Sequence, residues 1–268
     1  MSNVFNIKRA ANYFTHDLNT AKNNYLYSML VIGLMPVISF ILFEIFALII
    51  NGGHFVEIEK PLQNIVFCTS IMVLMITFPL KQYGRLTDRR YGSDWLMLPA
   101  STFEKWLSMI LVSCLVLPAV FLALYLGSDW LLSVCFPNRY PEALLSRGWT
   151  NDIVSSLSDE GVTFNVFGAS YANWVENILF ITLGAVIFKR AKFPKTLLAG
   201  TGIIILVVFI IALCCGFSFT DADFEEFIGN GDPEVFARRL NVFITIVYVF
   251  VFAVLGGGLF LRLKTLKH

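Results

Sequence analysis

Residues 93–112 read SDWLMLPASTFEKWLSMILV. The stretch begins polar and ends apolar, and its middle is marked as a helix start. Pro99 bars the α region for Leu98. Ser101 stands three residues before Glu104, the spacing of a capping box. The Ser101 hydroxyl accepts from the Glu104 amide, and the Glu104 carboxylate reaches back to the Ser101 amide. Lys105 and Trp106 follow at expected headgroup depth, and the chain then stays apolar to about residue 127. A run of roughly 20 apolar residues crosses a bilayer, so a membrane helix is expected to begin here.

The rest of the chain extends that reading. Of its 268 residues, 57% are hydrophobic, 26 are Phe, and the mean hydropathy is +0.71. Charged residues make up 15%, below the roughly 25% of ordinary soluble domains. A soluble core of this length cannot hide so much apolar surface, and a bilayer is the natural solvent. Runs of spanning length occur at about 28–50, 62–80, 104–127, 171–188, 196–216 and 240–261. The fourth is interrupted early by Asn173, Glu176 and Asn177. The expected fold is an all-α membrane protein with six transmembrane helices.

Charge distribution orients them. With the N-terminus inside, the inner segments are 1–27, 81–105, 189–195 and 262–268. They hold 15 of the 20 Lys and Arg residues, but only Asp17, Asp88, Asp94 and Glu104 among the acids. The Lys/Arg bias places both termini in the cytoplasm. The first long apolar run is too long for a signal-peptide core and lacks a clear small-residue cleavage site, so no cleaved leader is expected.

Within residues 4–27, Ile7, Ala11, Phe14, Leu18, Ala21 and Tyr25 share one helical face. Such a helix lies in the inner headgroup region before the chain turns into span one; the competing reading is a solvated helix packed on a cytoplasmic partner. The outer loops are 51–61, the long 128–170, and 217–239, where Asp221 to Ile228 reads as a surface helix. Asp232, Pro233 and Glu234 read as an N-cap, a first-position proline and a first-turn acid. Pro118 is expected to kink span three. Gly256, Gly257 and Gly258 permit close helix approach or local flexing, with plain packing the favoured reading. Glu44 is the one acid deep in a span. It is either an intramembrane polar site or, the favoured reading, a side chain reaching water at the outer end. Of the five cysteines (68, 114, 135, 214 and 215), four fall inside apolar runs without metal-ligand spacing and read as buried small hydrophobes, not a disulfide framework.

One feature of the second inner loop has no use in a bilayer. Asp94, Trp95, Leu96, Met97 and Leu98 form a mostly apolar run inside a charged loop. A docking surface for a cytoplasmic protein needs such a run, because interface centres favour Trp, Met and Arg.

With L-P-A-S-x-x-E-K-W-L at Leu98, Pro99, Ala100, Ser101, Glu104, Lys105, Trp106 and Leu107, and F-N-I-K-R at residues 5–9, the chain resembles the permease subunits of type-2 ABC exporters of Bacteroides-like bacteria. The resemblance covers the whole chain in layout, with its specific residues confined to these two patches. It implies a bacterial cytoplasmic (inner) membrane location, a homo- or heterodimer of permeases, and separate ABC ATPase subunits docked on the loop after span two. The N-terminal helix corresponds to a connecting helix. Asp94, Trp95, Leu98, Pro99, Ser101, Glu104 and Lys105 are the candidate coupling residues. The long outer loop 128–170 departs from the family's usual short one.

No G-x-x-x-x-G-K-[ST], H-E-x-x-H or G-x-S-x-G occurs. ATP hydrolysis would have to come from a partner. No catalytic, cofactor or metal site and no nucleic-acid partner is expected. Glu225 and Glu226 resemble the paired glutamates of some membrane proteases but lack the accompanying constellation. The alternative to a permease is a non-transporting membrane protein: an anchor, immunity or assembly factor.

Overall fold

The computed structural model describes residues 5–50, 60–87, 92, 95, 97–147, 166–214 and 233–266. Asp94, Glu225, Glu226, the 221–228 segment and most of the outer loops lie outside them. The helices are α1 (Ile7–Gly33), α2 (Met35–Ile50), α3 (Lys60–Gln82), α4 (Thr102–Leu111), α5 (Leu117–Cys135), α6 (Leu144–Arg147), α7 (Val166–Ile187), α8 (Lys192–Cys214) and α9 (Pro233–Thr265). A 3-10 turn, Gly84–Thr87, extends α3, and a π turn, Val112–Val116, fuses α4 to α5. No strand is present among the described residues.

Three helical stretches are long and apolar enough to cross a membrane: Lys60–Thr87, Thr102–Cys135 and Thr245–Thr265. The α1–α2 pair, bent by 45°, makes a fourth if counted as one broken span. Helices α7 and α8, of 22 and 23 residues, stand where two further spans are expected. In α7 the polar Asn177 is satisfied locally, its amide donating to the Asn173 carbonyl at 2.8 Å. Apolar side chains such as Ile41, Leu42, Ile45 and Phe46 of α2 and Ile203 to Leu206 of α8 face outward. That much exposed apolar surface marks an all-α protein of membrane type.

Two prolines set the breaks. The chain does not turn near residue 27, where an amphipathic helix was expected to give way to span one. α1 runs unbroken through that point, since nothing there interrupts the backbone ladder, and the bend falls at Leu34. Pro36 has no N–H to give Ile32 and its ring crowds that carbonyl. The Gly33 carbonyl, released at the bend, accepts from Ser128 Oγ of α5 at 2.8 Å. Gly33 is needed here: a Cβ would lie 2.7 Å from Leu124 Cβ.

Pro118 acts in the same way. Lacking an N–H, it frees the Cys114 carbonyl, and the preceding residues relax into the π turn. Leu117 N–H then bonds Val112, which also frees Ser113. Helix α7 takes both: Tyr171 OH donates to Cys114 O at 2.9 Å, and Trp174 Nε1 approaches Ser113 O at 3.5 Å. Donors from neighbouring helices commonly re-satisfy such broken ladders in membrane proteins.

Behind these contacts lies an aromatic core of α3, α5 and α7. Phe121 and Tyr125 are fully buried, with Phe67 at ring distances of 6.2 and 5.1 Å and Trp174 at 6.5 Å from Phe121. Gly184 of α7 lets α8 approach closely, for a Cβ there would sit 2.0 Å from Thr196 Oγ1. The 256–258 glycines do not serve that purpose. Added Cβ atoms would meet only ordinary contacts at 3.6–3.7 Å, or nothing at Gly257. Of the cysteines expected to be buried, Cys114 is buried while Cys68 and Cys135 are exposed.

Cross-helix bonds gather the basic segments at one end. Arg9 reaches Glu104, Lys192 Nζ bonds the Gly84 carbonyl, and Arg262 Nε donates to Val186 O at 3.3 Å. At the opposite end Asp129 is fully buried, with no cation paired to it among the described residues. It accepts from Gln63 Nε2 at 2.8 Å, Tyr140 OH at 2.6 Å and Leu144 N at 2.8 Å. Burial and this carboxylate push the Tyr140 phenol well above its ordinary range, so it stays a donor. The bonds fasten the first part of the long outer loop to α3 and α5.

Candidate functional site: the Glu104 joint

Asn6 caps α1: its Oδ1 accepts from Lys8 N at 3.0 Å and Arg9 N at 3.4 Å. Ser101 caps α4, accepting from Glu104 N at 3.3 Å. The Glu104 carboxylate joins the two caps. Oε2 accepts from Ser101 N at 2.8 Å, and Oε1 accepts from Asn6 N at 3.0 Å. Arg9 closes the set as a fork, Nε to Oε2 and Nη2 to Oε1, both at 2.7 Å. One carboxylate thus satisfies the cap amides of two helices and places negative charge at both positive helix ends. Glu104 is 1% exposed, so it has no surface to offer a partner.

Lys105 also turns inward and is buried. Its Nζ donates to the Trp95 carbonyl at 2.7 Å and lies 4.4 Å from the centre of that indole ring. Trp95 Nε1 in turn donates to Tyr13 OH of α1 at 2.9 Å. The half-buried Trp95 is therefore pinned between α1 and α4. Leu98 and Ser101 are half-buried, Pro99 is exposed and Met97 is 76% exposed. The outward face of the joint consists of Met97, Pro99 and Phe103, with Phe5 packed edge-on against Phe103 at 5.7 Å. Trp106 carries the joint to the last helix, donating to the Gly256 carbonyl at 2.9 Å.

A second buried carboxylate ties the joint to α3. Asp17 accepts from Ser108 Oγ at 2.8 Å, Gln82 Nε2 at 3.3 Å and Tyr83 OH at 3.4 Å. Gln82 accepts from Asn24, and Arg85 donates to Asn24, each at 3.2 Å. Asn6, Arg9, Tyr13 and Asp17 were absent from the candidate residues. Asp17 had carried a signal, as the lone acid of the first 27 residues.

Glu44 stands apart. It lies on the packed face of α2 with Pro36, Phe40 and Ala47 and is 9% exposed. It does not reach out to water as favoured from its sequence position. The 36, 40, 44, 47 spacing places it on the same face as the residues that pack α2 against α5. Neither carboxylate oxygen has a hydrogen-bond partner among the described residues.

Among the described residues no cluster of His, Cys, Asp and Glu could hold a metal ion. No protein-family model, curated protein or solved structure matches this chain.

Proposed function

We propose that the chain is the membrane-spanning permease subunit of an ATP-driven ABC-type exporter. It has six spans, both termini in the cytoplasm and a second permease subunit as partner, and it takes its energy from a separate ATPase. The observation that carries this reading is the Glu104 joint. It unites the N-terminal helix, the loop after α3 and the start of a long membrane helix, and leaves Met97, Pro99 and Phe103 facing outward. A push on that outward face is transmitted to α4, because no soft segment intervenes. Met97, Pro99 and Phe103 form the contact surface; Trp95, Ser101, Glu104 and Lys105 stiffen what lies behind it.

The test is co-purification from native membranes. The wild-type chain is expected to retain an ABC ATPase encoded beside it, and Met97→Asp to lose it while remaining folded, since Met97 supports nothing internal. Wild-type protein that retains no ATPase, from a gene with no ATPase neighbour, returns the chain to the anchor, immunity or assembly class.

A further inference from the structure

The turn between α7 and α8 concentrates charge that no internal contact uses. Residues 187–195 read IFKRAKFPK. Lys189, Arg190 and Lys195 are exposed, and Lys264 joins them from the end of α9. That end is held beside the turn by the Arg262 bond to Val186 and by burial of Leu263. The ion pair among the described residues, Arg9–Glu104, is elsewhere. Along the chain no acid occurs between Glu176 and Asp221, or after Glu234. Among the described residues none of the four cations has a carboxylate partner.

They are also held still. Gly184 against Thr196 and Gly200 against Phe180 lock α7 to α8, and Lys192 fastens the turn to the carbonyl of Gly84. Directly behind the cations, Ile187, Leu197 and the 74% exposed Leu198 face outward, while Phe188 and Phe193 are half-buried. A free phosphate or an acidic protein has no use for exposed leucines within a turn of the charges. A lipid has, because its chains descend from its headgroup.

We infer that the α7–α8 turn and the end of α9 form a binding site for an anionic phospholipid. Lys189, Arg190, Lys195 and Lys264 hold the headgroup phosphate, and the acyl chains lie along Ile187, Leu197 and Leu198. Basic sites between helix ends on the cytoplasmic side suit such headgroups. The inference needs a bilayer but does not depend on the ATPase reading.

The experiment is native mass spectrometry of the full chain released from nanodiscs of equal phosphatidylglycerol and phosphatidylcholine. Wild-type protein is expected to retain phosphatidylglycerol in about tenfold preference, and each cation removed to cost up to about fivefold in retention. The set Lys189→Gln, Arg190→Gln, Lys195→Gln and Lys264→Gln should bring the two lipids to parity. Exchanging Lys189, Lys195 and Lys264 for Arg should keep the preference, which separates charge from folding. Should the fourfold variant fail to fold, the pair Arg190→Gln and Lys264→Gln gives the graded loss instead. The site is overturned if Lys8→Gln, in the first turn of α1 beside the Glu104 joint, lowers retention equally. It is also overturned if the neutralised variants keep the wild-type preference, or if excess inorganic phosphate displaces the lipid.

Discussion

Glu104 shows how one side chain takes on two tasks of different sequence range. Its bond to Ser101 is local and was legible from the three-residue spacing. Its bonds to Asn6 and Arg9 cross more than 90 residues and left no local sign. The two tasks separate by mutation. Ser101→Ala removes a cap and should cost about 1 kcal/mol. Glu104→Ala keeps that backbone bond but removes the other half of the box, Ser101 N to Oε2, together with the Arg9 fork and the Asn6 acceptor, and should lower the melting temperature clearly further. Detergent-solubilised protein followed by thermal unfolding measures both. Equal losses would mean that the α1 side of the joint contributes nothing.

At the scale of elements, the prolines do more than bend helices. Pro118 was read as a kink, but its consequence is chemical: two released carbonyls become the acceptors for α7. The coupling can be measured as a double-mutant cycle. Tyr171→Phe should cost about 1 kcal/mol in the wild-type chain, because it strands a buried carbonyl. In a Pro118→Ala background, the backbone N–H restored by the substitution can bond Cys114 O again, and the same Tyr171 change should be nearly neutral. Additive losses would show that Tyr171 does not depend on the break. Pro36 and Ser128 form the equivalent pair at the α1–α2 bend. The Pro118 break was expected from sequence and the Pro36 break was not; neither donor was, because each comes from a helix that only packing brings alongside.

At the scale of the whole molecule, the four basic segments meet at one end, and the Asp129 buckle closes the other. The proposed topology predicts which positions a membrane-impermeant thiol reagent reaches. In intact spheroplasts, single cysteines at Glu57 and Ser156 should label at once, and those at Lys22 and Arg190 only after permeabilisation. Labelling of Arg190→Cys from outside would break the proposed orientation. Composition and hydrophobic run length by themselves determined the membrane-type character of this protein, its helical class, the α4 start and the break at Pro118. These are properties of short windows of chain, governed by backbone geometry and transfer from water. Tertiary structure alone decided that α1 continues through residue 27, that Glu44 faces inward, and that Lys105 packs on Trp95. It also paired Glu104 with Arg9 and Asp17 with Ser108. Which buried polar group finds which partner depends on residues far apart in sequence, and no local pattern encodes that choice.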